Sequence, residues 1–209
     1  MNYAKTDADY FTFNVHNSAF ITGQTGSGKS YLVEQLIKRY ASNKKSEDIQ
    51  FALFDFKQVE FGHWVNHPEE DEFKIAEKLY CPVITDPEEA LDKLEKLAEL
   101  SKDRAKNNVS KPQIFIAIDE CDAACVDTER FSNALITINQ NAKNANMKLL
   151  YDTSRPSPED VIPKRLLDSF DLVLLGKQGS DKNYELLGFD KKDMRLITEY
   201  EFNLIDQTA

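Results

Sequence analysis

Residues 23–30 read Gly-Gln-Thr-Gly-Ser-Gly-Lys-Ser, and this octapeptide restricts the fold more than any other stretch of the chain. It has the spacing G-x-x-x-x-G-K-[ST] of a phosphate-binding loop. A short apolar run, Ser18 to Thr22, precedes it. Tyr31, Leu32, Leu36, Ile37 and Tyr40 follow at helical spacing and predict a helix to about Ala41. Gly23, Gly26 and Gly28 let successive backbone N–H groups turn inward toward phosphate oxygens, and the helix adds the partial positive charge of its first turn. Lys29 is placed to neutralise the terminal phosphates and Ser30 to offer its hydroxyl to Mg²⁺. The candidate nucleotide cradle is therefore Gly23, Gln24, Thr25, Gly26, Ser27, Gly28, Lys29 and Ser30, with Tyr31 behind it.

The rest of the 209 residues repeats the pattern of buried strand and amphipathic helix. Ile49–Phe56, Gln113–Glu120, Met147–Ser154 and Asp171–Leu175 read as further strands, and Cys81–Thr85 as a short one. Asp86-Pro87-Glu88-Glu89 opens the clearest helix, with Asp86 as cap, Pro87 in the first turn and Glu89 completing a capping box. Another helix is expected over Phe131–Asn144, a short one near Tyr184–Leu187, and an extended tail around Phe202–Ile205. Residues 57–80 read as irregular. Near-continuous apolar strands separated by helices imply a mostly parallel central sheet covered on both faces, an α/β fold in one domain spanning 1–209. Ligands of such sheets sit at the carboxyl ends of the strands.

Asp119-Glu120 ends one of these strands. Asp119 is the candidate Mg²⁺ ligand beside Ser30, and Glu120 is placed to polarise an attacking water. Thr153 and Ser154, at the tip of the next strand, are candidates to sense the terminal phosphate. Composition is that of an ordinary globular protein, 41% hydrophobic and 30% charged. The net charge of −10 argues against a broad basic nucleic-acid surface, though not against a narrow basic pore. Acidic residues cluster between Glu47 and Glu72 and read as a solvated face. Three cysteines, Cys81, Cys121 and Cys125, make no disulfide framework. His63 and His67 share helical spacing but lack a third ligand for a metal. The polar, acidic start and the lack of a long apolar run predict a cytoplasmic protein with no membrane segment of its own.

Taken together, several segments resemble the RecA-like motor domain of the FtsK/SpoIIIE DNA translocases, within the FtsK–HerA superfamily. GQTGSGKS is similar to that family's phosphate loop, LFDFKQVEF (Leu53–Phe61) to its Asp-x-Lys-x-Val-Glu segment, CPVITDPEEAL to its lead into a long helix, and IFIAIDE to its acidic strand. NQNAKNANMKLLYDTSRPSPEDVI resembles its helix, strand and Thr-x-Arg-Pro-Ser segment. The resemblance runs from about Phe20 to Asp190. It implies a RecA-like P-loop fold, ATP and Mg²⁺ as cofactors, and a homo-oligomeric ring, usually of six, that pulls double-stranded DNA through its pore. Nucleotide would sit between subunits, with a cation from the neighbour completing the site. The family's trans-acting Arg falls on Lys143, with Arg155 or Arg130 as substitutes, and the Gln before Arg-Pro-Ser is Ser154 here.

A compact motor of this kind also resembles the genome-packaging ATPases of tailless, membrane-containing icosahedral viruses. That resemblance implies viral capsid or portal-vertex partners and a place in the host cytoplasm and on the virion. A plasmid-transfer or chromosome-handling motor is the nearest alternative. A small-molecule kinase and a nucleotide-gated scaffold without turnover are the others, and Glu120 beside Asp119 suits water better than a substrate hydroxyl. Lys102, Arg104, Lys106, Lys111, Lys164 and Arg165 are the cations expected near the pore, where phosphate contacts give grip without reading sequence.

Overall fold

The computed structural model describes residues 2–5, 15–42, 44–120, 127–154, 162–180, 182–190, 192 and 200–208. Strands are β1 (Asn2–Lys5), β2 (Ser18–Thr22), β3 (Ile49–Asp55), β4 (Gln113–Asp119), β5 (Met147–Thr153), β6 (Leu172–Leu175) and β7 (Glu201–Asp206). Helices are α1 (Lys29–Ala41), α2 (Gly62–Asn66), α3 (Pro87–Asn107), α4 (Thr128–Ala145), α5 (Lys164–Leu167) and α6 (Lys182–Leu186). The strands join in one sheet of order β1-β7-β6-β2-β5-β4-β3. The five from β6 to β3 are parallel, and β7 and β1 extend the sheet antiparallel.

Side-chain alternation along each strand feeds two cores. On one face Phe20, Phe54, Ile116, Ile118, Leu149 and Tyr151 pack under α3 and α4. On the other, Ile21, Leu53, Phe115, Ala117 and Leu150 pack under α1 through Leu32, Val33, Leu36 and Ile37. Truncating any one of these large buried side chains to alanine costs about 2–5 kcal/mol. The Asp86 side chain accepts the Glu89 N–H at 2.9 Å and so starts α3 where the cap pattern places it. Asp127 caps α4 in the same way, accepting from Glu129 and Arg130. No helix among the described residues is long and apolar enough to cross a membrane.

Two expectations change, and the strand order adds one further fact. Cys81–Thr85 is no strand: it touches β3 through a single bridge, Phe54 to Ile84. The acidic stretch 47–72 is not uniformly solvated. Asp55 is buried and its carboxylate accepts the N–H groups of Val59, Glu60 and Phe61, so it shapes the loop after β3. Asp71 is buried as well and accepts the N–H of Ala76. Finally, β5 lies between β2 and β4, so the acidic strand is separated from the phosphate-loop strand by one neighbour.

Candidate functional site

The row of residues at the carboxyl edge of the sheet sets the site. Asp55 on β3 is in register with Asp119 on β4, and Asp119 with Asp152 on β5. Each lies two residues beyond a side chain packed under α1 (Leu53, Ala117, Leu150), so all three carboxylates face the helix that the phosphate loop begins.

The loop is held from below and from the side. Gly176 N–H donates to Thr22 O at 2.7 Å, and Gln24 N–H to Lys177 O at 2.7 Å, tying the loop's entry to the chain after β6. A side chain at Gly23 would run into Ser27 Oγ at 2.5 Å. Gly28 adopts φ +94°, and a Cβ there would lie 2.6 Å from the Tyr200 ring. Tyr200 itself donates its N–H to Ser27 O at 3.0 Å and meets Tyr31 edge-on at 5.8 Å. The segment entering β7 thus straps the phosphate loop.

Above the loop lies a cavity of about 290 Å³ lined by Thr25, Gly26, Gly28, Lys29, Ser30, Tyr31, Lys57, Glu60, Asp119, Glu120 and Tyr200. A larger one, about 620 Å³, sits beside the β3 edge and is lined by Gly62, Val65, Cys81, Pro82 and Thr85 among others, with no cation. The smaller cavity carries the charged groups that a phosphate ligand needs.

Glu120 is the most constrained group in it. Its backbone takes φ +48°, a left-handed conformation unusual for glutamate. Its N–H is held by Asp152 twice, through O at 3.1 Å and Oδ1 at 3.2 Å. Its side chain is 8% exposed. Oε2 accepts from Ser154 N–H at 3.0 Å and Ser154 Oγ at 2.9 Å. Oε1 faces Lys29 Nζ at 3.6 Å and Lys57 Nζ at 3.4 Å. Burial pushes this carboxyl up, but the two Ser154 hydrogen bonds and the two ammonium groups outweigh it and hold the group below its ordinary range. Asp119 goes the other way. Burial, then the negative charge of Glu60, raises it to about 7. Asp152, buried beside it, is raised too, by burial and by Asp119. One oxygen of each, Asp119 Oδ2 and Asp152 Oδ2, is buried without a hydrogen-bond partner. Two inward carboxylates with unsatisfied oxygens, next to Ser30, are a donor set that suits a hard divalent cation.

The structure brings some of the sequence-predicted residues together and sets others apart. Lys29, Ser30, Asp119 and Glu120 converge on one cavity, with Thr25, Gly26, Gly28 and Tyr31 in its wall. Ser154 grips Glu120, while Thr153 is buried in β5. Lys143 is exposed at the end of α4, which leads into β5 at the amino edge of the sheet, the end opposite the cavity. Arg130 is engaged in cis: its guanidinium grips Glu95 on α3 at 2.8 and 2.7 Å. Arg155, Cys121 and Cys125 lie outside the described residues. Among the expected DNA contacts Arg104 is a correction. It is 6% exposed and donates to Ala145 O at 2.9 Å and Pro112 O at 2.6 Å, closing the α3–β4 turn onto the end of α4. Lys102, Lys106, Lys111, Lys164 and Arg165 are exposed; Lys102 pairs with Glu99, Lys111 with Asp48 and Lys164 with Asp168. Reading the sequence for site residues passed over Asp152 and Tyr200, while Lys57 and Glu60 entered only as part of the Asp-x-Lys-x-Val-Glu resemblance with no role assigned. Asp152 leaves a local trace of its own, an acid inside an apolar strand.

A phosphate loop between β2 and α1, with an acidic pair on β4 and a polar tip on the intervening β5, defines a RecA-like P-loop nucleotide-binding protein. The chain belongs to the FtsK/SpoIIIE family, whose family model matches residues 5–145. It is 28% identical over 164 residues to the DNA translocase FtsK of Lactiplantibacillus plantarum, covering 66% of this chain and 20% of that protein. It is 26% identical over 216 aligned positions to FtsK of Staphylococcus aureus, covering 85% and 26%. The chain thus spans between a fifth and about a quarter of the length of these relatives. Among solved structures, its fold is similar to the pCW3 conjugation coupling protein TcpA with ATPγS (TM-score 0.61, 21% identity, 86% of this chain and 54% of that one). It is also similar to the genome packaging NTPase B204 of Sulfolobus turreted icosahedral virus 2 with AMP (TM-score 0.57, 17% identity, 92% and 93%).

Proposed function

We propose that this chain hydrolyses ATP to move double-stranded DNA, as one subunit of a homo-oligomeric ring, and that its particular task is packaging a viral genome. The observation that carries the hydrolytic part is the placement of Glu120: a buried, ionised carboxylate at the mouth of the phosphate-loop cavity, one residue beyond Asp119. Its pKa is held low, so it is present as a base at neutral pH, and Ser154 fixes its direction.

Lys29 and the inward N–H groups of the loop would bind the phosphates, and the α1 amino terminus would add to their field. Ser30 and Asp119, with Asp152 behind, would hold Mg²⁺, which when bound supplies charge neutralisation at the phosphates. Glu120 would accept a proton from the attacking water. Lys143 and Arg155 remain the proposed cations supplied by a neighbouring subunit. The position of Lys143, exposed at the edge opposite its own cavity, is compatible with action on another copy.

The DNA part is supported by family membership and by the printed activity of the FtsK relatives. The packaging task is supported by the near end-to-end match of fold to the viral packaging NTPase. In this reading the partners are capsid or portal-vertex proteins, and the protein works in the host cytoplasm and on the virion. An FtsK-like role in DNA transfer or chromosome and plasmid handling is the second reading, favoured by the likeness to the conjugation coupling protein.

Phosphate release measured with and without linear double-stranded DNA, across a series of salt concentrations, tests the proposal. DNA should stimulate turnover, with stimulation fading as salt rises. Alanine at Lys102, Lys106 and Lys164 together should flatten that salt dependence. Turnover indifferent to DNA at every salt concentration would sink the motor reading.

A further inference from the structure

The cavity holds two ammonium groups, and the phosphate loop accounts for one. Lys57 stands on the loop after β3, on the far side of Asp119 from the phosphate loop, and that loop is fixed by the three hydrogen bonds it makes to the buried Asp55 carboxylate. Its Nζ lies 3.4 Å from Glu120 Oε1, the same oxygen that Lys29 approaches at 3.6 Å. Two cations converging on one oxygen mark a place where a concentrated negative charge is expected. Glu120 fills that place here, and with Ser154 on its other oxygen each carboxylate oxygen is already engaged. A carboxylate so occupied is a poor acceptor for a water proton. A terminal phosphate entering beside Lys29 offers the two ammonium groups a denser anion, and Lys57, with its side chain 49% exposed on a flexible stem, is free to follow it. Among the described residues lining the cavity there is no arginine, and Lys57 is the second cation that they supply.

We infer that Lys57 is a γ-phosphate-binding catalytic residue acting in cis, which exchanges Glu120 for the terminal phosphate when a nucleoside triphosphate binds and so releases Glu120 Oε1 to take a proton from water. This rests on the nucleotide reading of the cavity given above.

Calorimetric titration of the full chain with AMPPCP and with ADP, both with Mg²⁺, separates the possibilities. In Lys57→Ala the affinity for AMPPCP should fall about tenfold, the size of one lost charge-assisted contact, while ADP binding stays within about twofold. Lys57→Arg, which keeps the charge, should recover most of the loss. Equal losses for both nucleotides would mean that Lys57 merely supports the fold of the site, and the inference falls. Unchanged AMPPCP affinity with reduced turnover would mean that Lys57 only steadies Glu120, and the inference falls again. A wild-type chain that binds neither nucleotide would instead remove the nucleotide reading itself. Thermal melting of each variant checks that the chain is folded, and Lys57, being half exposed, is an undemanding position in that respect.

Discussion

Charged side chains are buried at both ends of this sheet, and the two ends treat them differently. At the amino end Arg104 and Lys148 donate to main-chain oxygens: Arg104 to Ala145 O and Pro112 O, Lys148 to His16 O. Those partners are part of the backbone and are not exchanged. At the carboxyl end Lys29 and Glu120 lean on each other across 3.6 Å, Lys57 shares the same oxygen, and Asp119 and Asp152 each keep an oxygen without a partner. Burial alone therefore says little about function. What distinguishes the site is that part of its charge rests on other movable charges, Lys29 and Lys57 on Glu120 Oε1, or on nothing, as at Asp119 Oδ2 and Asp152 Oδ2, and so stands ready for a ligand.

Substitutions at the two ends should part company accordingly. The largest effect is expected at Glu120→Gln, where hydrolysis should drop by at least about 100-fold while nucleotide affinity persists. Single-turnover phosphate release beside equilibrium nucleotide binding reads both quantities, and retained hydrolysis would take Glu120 out of its role. Next comes Arg104→Ala. Two buried carbonyls lose a charged donor, and urea denaturation should show a loss of about 2–3 kcal/mol, with turnover per folded molecule unchanged. Turnover lost without a loss of stability would place Arg104 in the site after all and erase the contrast.

The smallest effect is one of pH. In chelator, with no metal bound, Asp119 titrates at about 7 in the folded chain and Asp152 is raised beside it, whereas both sit near 4 when unfolded. A raised folded-state value stabilises fully below the unfolded value, and the contribution is lost as pH rises through the folded one. The melting temperature should therefore carry a component that declines from about pH 4 to pH 7. Asp152→Asn, which relieves the repulsion, should shrink that decline by about 1 kcal/mol. Identical pH profiles for the two proteins would mean that the carboxyls do not sense each other.

Much of this was legible in the sequence because it is local. The octapeptide at 23–30, the caps at Asp86 and the apolar runs that became β2 to β6 announce themselves over a few residues. So does Asp119-Glu120, two successive acids at the tip of an apolar strand in a chain that also carries a phosphate loop. What the sequence hid is relational. Nothing local says that Lys57 meets Glu120, that Ser154 grips Glu120, or that Tyr200 lands on Gly28. Those contacts depend on strand order, which places β5 between β2 and β4, and on Tyr200, which meets the loop just ahead of β7. Arg104 misled for the complementary reason. In sequence it sits among exposed cations, Lys102 and Lys106, and only the packing of α3 against the end of α4 turns it inward.

The strap formed by Tyr200 has a consequence for how the chain matures. As the polypeptide leaves the ribosome, the phosphate loop emerges some 170 positions ahead of the N–H group that secures Ser27 O. A nascent chain arrested before β7 would carry the whole octapeptide and still lack the clamp over it. The clamp over the loop thus closes only once β2 to β6, which precede Tyr200 in the chain, have been made.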